Sequence, residues 1–268
     1  MIKTWLNFIK KLYTYRSSIW AMAVRDIQAR YIGTVAGIFW SVINPLAFML
    51  VYWIVFSVGL KVELAEGVPF IIVFMCGLIP WMMFSEILTT SLNSINANAH
   101  LIKKTVFPSE ILPVVSLVTS WFTHGIMMVL LFILMAFNQI PFSINNFGFL
   151  YYFLALSVFA LGLGWLFSSL NVFFRDIGQF LNVLINLWFW LTPIAWPLKM
   201  LPVKYQFLIK LNPMCYVIQG YKQVFISRQL PLSHPGLTDA YFWIGAGLVF
   251  LIGGYVFKRL KAEFAEVL

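Results

Sequence analysis

Between Ile111 and Phe174 the chain runs 64 residues without an Asp, Glu, Lys or Arg. A helix that crosses a bilayer takes about 20 apolar residues, so this run is too long for one crossing and fits two. Asn138-Gln139-Ile140-Pro141, followed by Asn145-Asn146, divides it with turn chemistry between apolar stretches. Both ends of the pair then lie on one side of the membrane. The charges sit at those ends: Lys103, Lys104 and Glu110 before the run, Arg175 and Asp176 after it.

The rest of the 268-residue chain agrees. It is 62% hydrophobic and 10% charged, with mean hydropathy +0.89, a polytopic membrane composition. The N-terminus carries Lys3, Lys10, Lys11 and Arg16 without the compact apolar core and small-residue site of a cleavable signal peptide. Cys76 and Cys215 are too few for a disulfide framework and read as structural thiols. A net charge of +9 raises nucleic acid as a partner, but the basic residues flank apolar runs instead of gathering in one soluble block. They read as topology signals, and no nucleic acid is expected.

Residues 2–15 form an amphipathic pattern. Ile2, Trp5, Leu6, Ile9, Leu12 and Tyr13 share one helical face, and Lys3, Asn7, Lys10, Lys11 and Thr14 the other. Such a helix lies in the membrane interface, with a plain packing helix as the alternative. The predicted fold is all-α, with six spans at about 33–60, 68–92, 111–137, 148–172, 177–196 and 240–257. Asn44-Pro45 implies a kink in the first, and Gly245, Gly247, Gly253 and Gly254 crowd the sixth. An even number of spans places both termini on one side. That side collects twelve of the 18 basic residues, so the termini are expected in the cytoplasm. Segment 198–239 contains an apolar stretch, 211–221, too short to cross. Two short helices broken at Asn212-Pro213 and dipping into the outer half of the membrane account for it. No metal site is expected. The chain reads as one domain: 1–32 interface and gate helices, 33–196 spans one to five, 197–239 outer gate helices, 240–257 span six and 258–268 a cytoplasmic tail.

Four stretches, in order, carry a family resemblance. They are Arg25-Asp26-Ile27-Gln28-Ala29-Arg30-Tyr31 with Gly37-Ile38-Phe39-Trp40 and Asn44-Pro45-Leu46; Leu101-Ile102-Lys103-Lys104-Thr105-Val106-Phe107-Pro108 with Glu110-Ile111-Leu112-Pro113; Asn171-Val172-Phe173-Phe174-Arg175-Asp176-Ile177 running on to Leu191-Thr192-Pro193; and Leu211-Asn212-Pro213-Met214 with Val217-Ile218. Together they resemble the membrane subunit of ABC-2-type exporters, in particular the permeases that move O-antigen, capsule or teichoic-acid chains. Ser109 and Ile32 depart from the resemblance, standing where that family often has a basic residue.

The resemblance implies a bacterial inner-membrane homodimer working with two copies of a separate cytoplasmic ATPase, which would bind the ATP and Mg. No cofactor is expected in this chain, and its expected substrate is an undecaprenyl-linked polysaccharide. The resemblance makes Leu101, Ile102, Lys103, Lys104, Phe107, Pro108 and Glu110 the loop that docks on the ATPase, Arg25, Asp26 and Arg30 a gate at the cytoplasmic mouth, and 198–235 the outer gate.

Residue chemistry agrees with these roles. A force-transmitting loop is short and stiff; Pro108 and Pro113 restrict the backbone, Phe107 offers an apolar anchor, and Lys103 and Lys104 suit an acidic partner. Positive-inside topology accounts for the two lysines equally well. Arg175 and Asp176 read as a local ion pair holding two helix ends, with direct contact to the ATPase as the alternative. A lipid pyrophosphate calls for guanidinium groups, which Arg25 and Arg30 supply. Aromatic side chains make up 18% of the chain and stack on the apolar faces of sugar rings. Tyr52, Phe56, Trp188, Trp190 and Trp196 are the candidate channel aromatics, from the two spans that the resemblance places at the dimer axis; membrane belts and helix packing also use such rings.

Two other functions fit parts of the sequence. A proton-coupled flippase needs intramembrane titratable groups, and the chain offers only Glu86, near an interface, and His124, without an evident carboxylate partner. A membrane acyltransferase is hinted at by His234 and Asp239 at the spacing of a base–carboxylate dyad, in a Pro-Gly loop without the rest of such a pattern. No Gly-Lys dipeptide exists in the chain, so it holds no phosphate-cradling Walker loop, and ATP hydrolysis would have to occur in a partner.

Overall fold

The computed structural model describes residues 10–32, 34, 37–61, 67–104, 107–231 and 236–268. The expected all-helical fold is what forms, with no strand among these residues. Five helices are long and apolar enough to cross a membrane: Trp40–Gly59, Phe70–Ala97, Ser109–Phe137, Ile144–Phe173 and Leu237–Val267. Of the amphipathic N-terminal pattern, residues 10–14 are helical and the first nine lie outside the described residues. We number the main helices α1 (Arg16–Tyr31), α2 (Trp40–Tyr52, continued by a π-helical stretch to Gly59), α3 (Phe70–Ala97), α4 (Ala99–Lys104), α5 (Leu112–Phe137), α6 (Phe149–Phe173), α7 (Asp176–Leu191), α8 (Val203–Lys210), α9 (Pro213–Lys222), α10 (Leu237–Leu260) and α11 (Phe264–Val267).

The core is built around α3, whose apolar side chains are buried on nearly every face against α5, α6 and α9. On the far side of α6 lies α10. There the helices meet backbone to backbone: a Cβ on Gly162 would stand 2.7 Å from the Phe250 main chain, and one on Gly253 would collide with the Gly162 carbonyl. Small residues at such a crossing bring membrane helices close enough for dense packing.

The fifth expected span, 177–196, is helical only through α7, which has 16 residues, about 24 Å at 1.5 Å per residue. That is short of the roughly 30 Å hydrocarbon core. Thr192 turns extended (φ −104°, ψ 133°), and Pro193 lacks the N–H that would continue the ladder. The remainder, through Trp196, is irregular.

The turn between α5 and α6 is more than a connector. Ser143 and Asn146 cap the short helix that follows it, with Ser143 N donating to Asn146 Oδ1 at 2.7 Å. The Asn145 and Asn146 side-chain amides donate to the Arg228 and Val224 carbonyls, each at 2.9 Å. The turn thereby fastens the end of the bundle that carries α8 and α9.

Candidate functional site

At the end of the bundle where Lys11 and Lys261 meet Glu110, α1 packs on α5 and reaches α3 through the Arg30–Glu86 ion pair. Ile19 and Ala23 of α1 bury against Ile111 and Val115, which seats the helix. Between the three helices opens a cavity of about 530 Å³. Arg25, Asp26 and Arg30 stand on its α1 side. Thr89, Thr90, Asn93, Ser94 and Asn98 come from the end of α3, and Ser116 and Thr119 from α5.

The polar stretch at the end of α3 supplies a wall of hydrogen-bond acceptors. Thr89 donates to the Ser85 carbonyl at 2.8 Å, Thr90 to Glu86 at 2.7 Å, Ser94 to Ser91 at 2.8 Å and Thr119 to Val115 at 2.9 Å. With each proton committed to the helix one turn back, the hydroxyl oxygens keep lone pairs free to accept. Opposite them stand the guanidinium donors. Arg25 pairs with Asp26 at 3.0 Å and reaches Asn98 Oδ1 at 3.5 Å. Arg30 forms an ion pair with Glu86, whose Oε1 also accepts from Thr123 Oγ1 at 3.3 Å. Arg25, Asp26 and Arg30 thus line one cavity, and each cation already holds a carboxylate. An anion entering here would exchange with those carboxylates, and a polyhydroxylated group behind it would meet acceptors.

The expected docking loop is only partly available. Leu101, Ile102 and Phe107 are half-buried, Pro108 and Glu110 are buried, and Lys103 is exposed; the side chain of Lys104 lies outside the described residues. Phe107 packs on Ile19, Ile111 and their neighbours, which corrects its reading as a free anchor: its ring serves the seat of α1. Glu110 is likewise an internal tie, ion-paired at once with Lys11 and Lys261. The outward face of α4 is His100 and Lys103.

Arg175 and Asp176 are a second correction. Both are exposed, and no ion pair joins them. Asp176 instead opens the first turn of α7, where the positive end of the helix dipole stabilises a carboxylate without a cationic partner.

Among the channel aromatics, Tyr52 stacks on Phe74 at 4.8 Å and Phe56 on Phe70 at 5.7 Å, so both join the packing between α2 and α3. Trp188 is fixed by donating to Asn212 Oδ1 at 2.7 Å, and its ring meets Phe84 edge-on. Trp196 donates to the Trp190 carbonyl at 3.2 Å. Trp190 itself is 58% exposed. The five do not form one surface.

The rival chemistry finds little support. Glu86 is spoken for by Arg30. His124 is buried, with Nε2 3.2 Å from the Tyr221 hydroxyl, no partner on Nδ1, and no carboxylate bonded to it among the described residues. His234 lies outside the described residues; Asp239 accepts from the Gly236 N–H at 2.8 Å and the Tyr216 hydroxyl at 2.7 Å, a helix-capping role.

Residues 17–226 match the family described as ABC-2 type transporter. The chain belongs to that family. This ABC-2 protein is 32% identical over 249 residues to an O-antigen export system permease protein RfbA of Klebsiella pneumoniae, an alignment covering 91% of this chain and 92% of the relative. An O-antigen export system permease protein RfbA of Myxococcus xanthus is 29% identical over 264 residues, covering 97% and 99%. The polysialic acid transport protein KpsM of Escherichia coli is 23% identical over 235 residues, covering 85% and 90%. With five helices long and apolar enough to cross a membrane and this membership, the ABC-2 protein is a multi-pass membrane permease.

Sequence reading missed Lys11 and Lys261 as partners of Glu110. The available signal was a carboxylate at the mouth of an uncharged run, which needs cations to stay there.

Proposed function

We propose that this chain is the permease of an ATP-driven exporter that carries a lipid-linked polysaccharide, of the O-antigen class, across the bacterial inner membrane. The carrying observation is the cavity under α1: two guanidinium groups at its mouth and an acceptor-rich wall behind them suit a pyrophosphate followed by a sugar. The near full-length match to relatives named as O-antigen export permeases supports the same substrate class.

In this reading the carrier is an undecaprenyl-type lipid whose pyrophosphate displaces Asp26 and Glu86 from Arg25 and Arg30. The chain crosses six times, with α7 and the irregular 192–196 segment as the fifth crossing and α8 and α9 forming an outer gate that dips into the membrane. Both termini are cytoplasmic. Two copies work with two cytoplasmic ATPase subunits, which bind ATP and Mg, and His100 and Lys103 on α4 form the outward docking face. The domain boundaries are those of the sequence reading.

The test is genetic and biochemical. Cells lacking the chain should accumulate the polysaccharide on its lipid carrier at the cytoplasmic face, and a tagged copy should restore export and copurify with an ATPase that has a Walker loop. Unchanged surface polysaccharide in the deletion would overturn the assignment.

A further inference from the structure

The exposed faces of the membrane helices differ in chemistry. On α10 the exposed positions from 240 to 255 are apolar or aromatic throughout, Leu248, Leu251 and Ile252 among them. Exposed side chains on α5 are Trp121, Phe122, Val129, Ile133, Ala136 and Phe137, and on α6 Leu150 and Leu154. These faces suit lipid.

Helix α7 is built the other way round. Its apolar side, Leu181 and Ile185, is buried against the bundle, whereas Gln179, Asn182 and Asn186 are exposed. At 100° per residue those three amides and Trp190 fall within an arc of about 80°, and from first to last the stripe is about 16 Å long. None of the three amides has a hydrogen-bond partner among the described residues. In hydrocarbon an unsatisfied amide is costly, so this face does not meet lipid tails. Phe180, Val183, Leu187 and Leu191 run directly beside the stripe and offer an adjoining apolar strip for packing against lipid or a second copy.

We propose that Gln179, Asn182 and Asn186 form a hydrogen-bonding track along a water-filled path, on which the hydroxyl groups of the transported saccharide exchange partners, with Trp190 as a stacking platform at one end. A primary amide carries two donors and an acceptor, and so matches a hydroxyl of either polarity. Three of them in series hold a sugar chain loosely at each step without fixing one sugar identity. The inference rests on the polysaccharide-export reading for its ligand, but not for the wetness of the face.

The test separates the two. Asn182→Cys and Asn186→Cys, each in the full chain in native membranes, are treated with a charged, membrane-impermeant thiol reagent; Leu251→Cys on α10 is the lipid-facing control, and the native Cys76 and Cys215 are buried. Both introduced thiols should react at least tenfold faster than the control. In export assays the Asn182→Ala/Asn186→Ala pair should lower transport about tenfold at unchanged membrane level, and Asn182→Gln/Asn186→Gln should restore most of it. Unreactive thiols, or thiols that cross-link between copies instead of reacting, would make the stripe an interhelical contact and overturn the proposal. Reactive thiols with undiminished export in the alanine pair would overturn the saccharide contact while leaving the exporter assignment standing.

Discussion

Lys261 forms an ion pair with Glu110 across 151 positions of sequence, fastening the segment after α10 to the residue at the mouth of the uncharged run. Lys11 takes the other carboxylate oxygen, so three distant parts of the chain meet on one side chain that is only 11% exposed. Beside it α11 packs against α4, with Phe264 buried on Phe257 and Phe173. The segment that would meet the ATPase thus rests on both ends of the permease. Glu110→Gln keeps the shape and removes the charge. Both lysines are about a third exposed and can rehydrate, so the expected loss is about 1–2 kcal/mol of stability, read as an earlier unfolding transition in detergent. Lys261→Met alone should lose about half as much.

The two arginines of the cavity should separate in the same assay. Arg25 and Asp26 are well exposed, at 54% and 39% of their side chains, so Arg25→Ala should change stability by no more than about 0.5 kcal/mol. Arg30→Ala strands Glu86, which is 16% exposed, and should cost about 2–3 kcal/mol. Adding Glu86→Gln to Arg30→Ala should recover most of that loss. Both arginine variants should reduce export, because each removes a guanidinium from the mouth of the cavity; export retained in Arg25→Ala would remove that residue from the anion site.

The crossing of α6 and α10 makes a prediction about glycines of the same helix. Gly253→Val would drive a side chain into the Gly162 carbonyl and should deplete folded protein from the membrane, at a cost above about 4 kcal/mol. A Cβ at Gly245 meets nothing within 4 Å, so Gly245→Ala should be neutral or stabilise the helix by about 0.5–1 kcal/mol. Equal membrane levels of the two variants would refute the close approach.

These outcomes track what the sequence discloses. The crossing helices are legible because apolar runs and charged boundaries act locally: Asn138 to Asn146 marks the turn between α5 and α6, and Pro193 marks the end of α7. Arg25, Asp26 and Arg30 are also legible as a group, since one helix carries them. Their partners are not. Glu86 and Glu110 find cations 56 and 99 positions away or more, which tertiary packing alone arranges. Phe107 reads as an anchor because it is the aromatic ring of a short, proline-stiffened loop, yet in space it packs on the cluster of Ile19, Ala23, Ile111 and Val115. The amide stripe of α7 is visible as a pattern, but its direction depends on which face Leu181 and Ile185 bury.

The half-burial of Phe107 changes what a docking experiment should use. Phe107→Asp places a carboxylate among apolar side chains under α1, so it should destabilise the permease itself by about 2–4 kcal/mol and lower its membrane level. Loss of ATPase association in that variant would say nothing about contact. Lys103 is exposed on α4 and has no ion pair among the described residues, so Lys103→Glu leaves the fold alone. If α4 meets an acidic surface of the partner, reversing this charge should weaken copurification of the ATPase at least tenfold at low salt, and raising ionic strength should shrink the difference from the native chain. A Lys103→Glu permease that keeps its ATPase at every salt concentration would move the docking contact off α4.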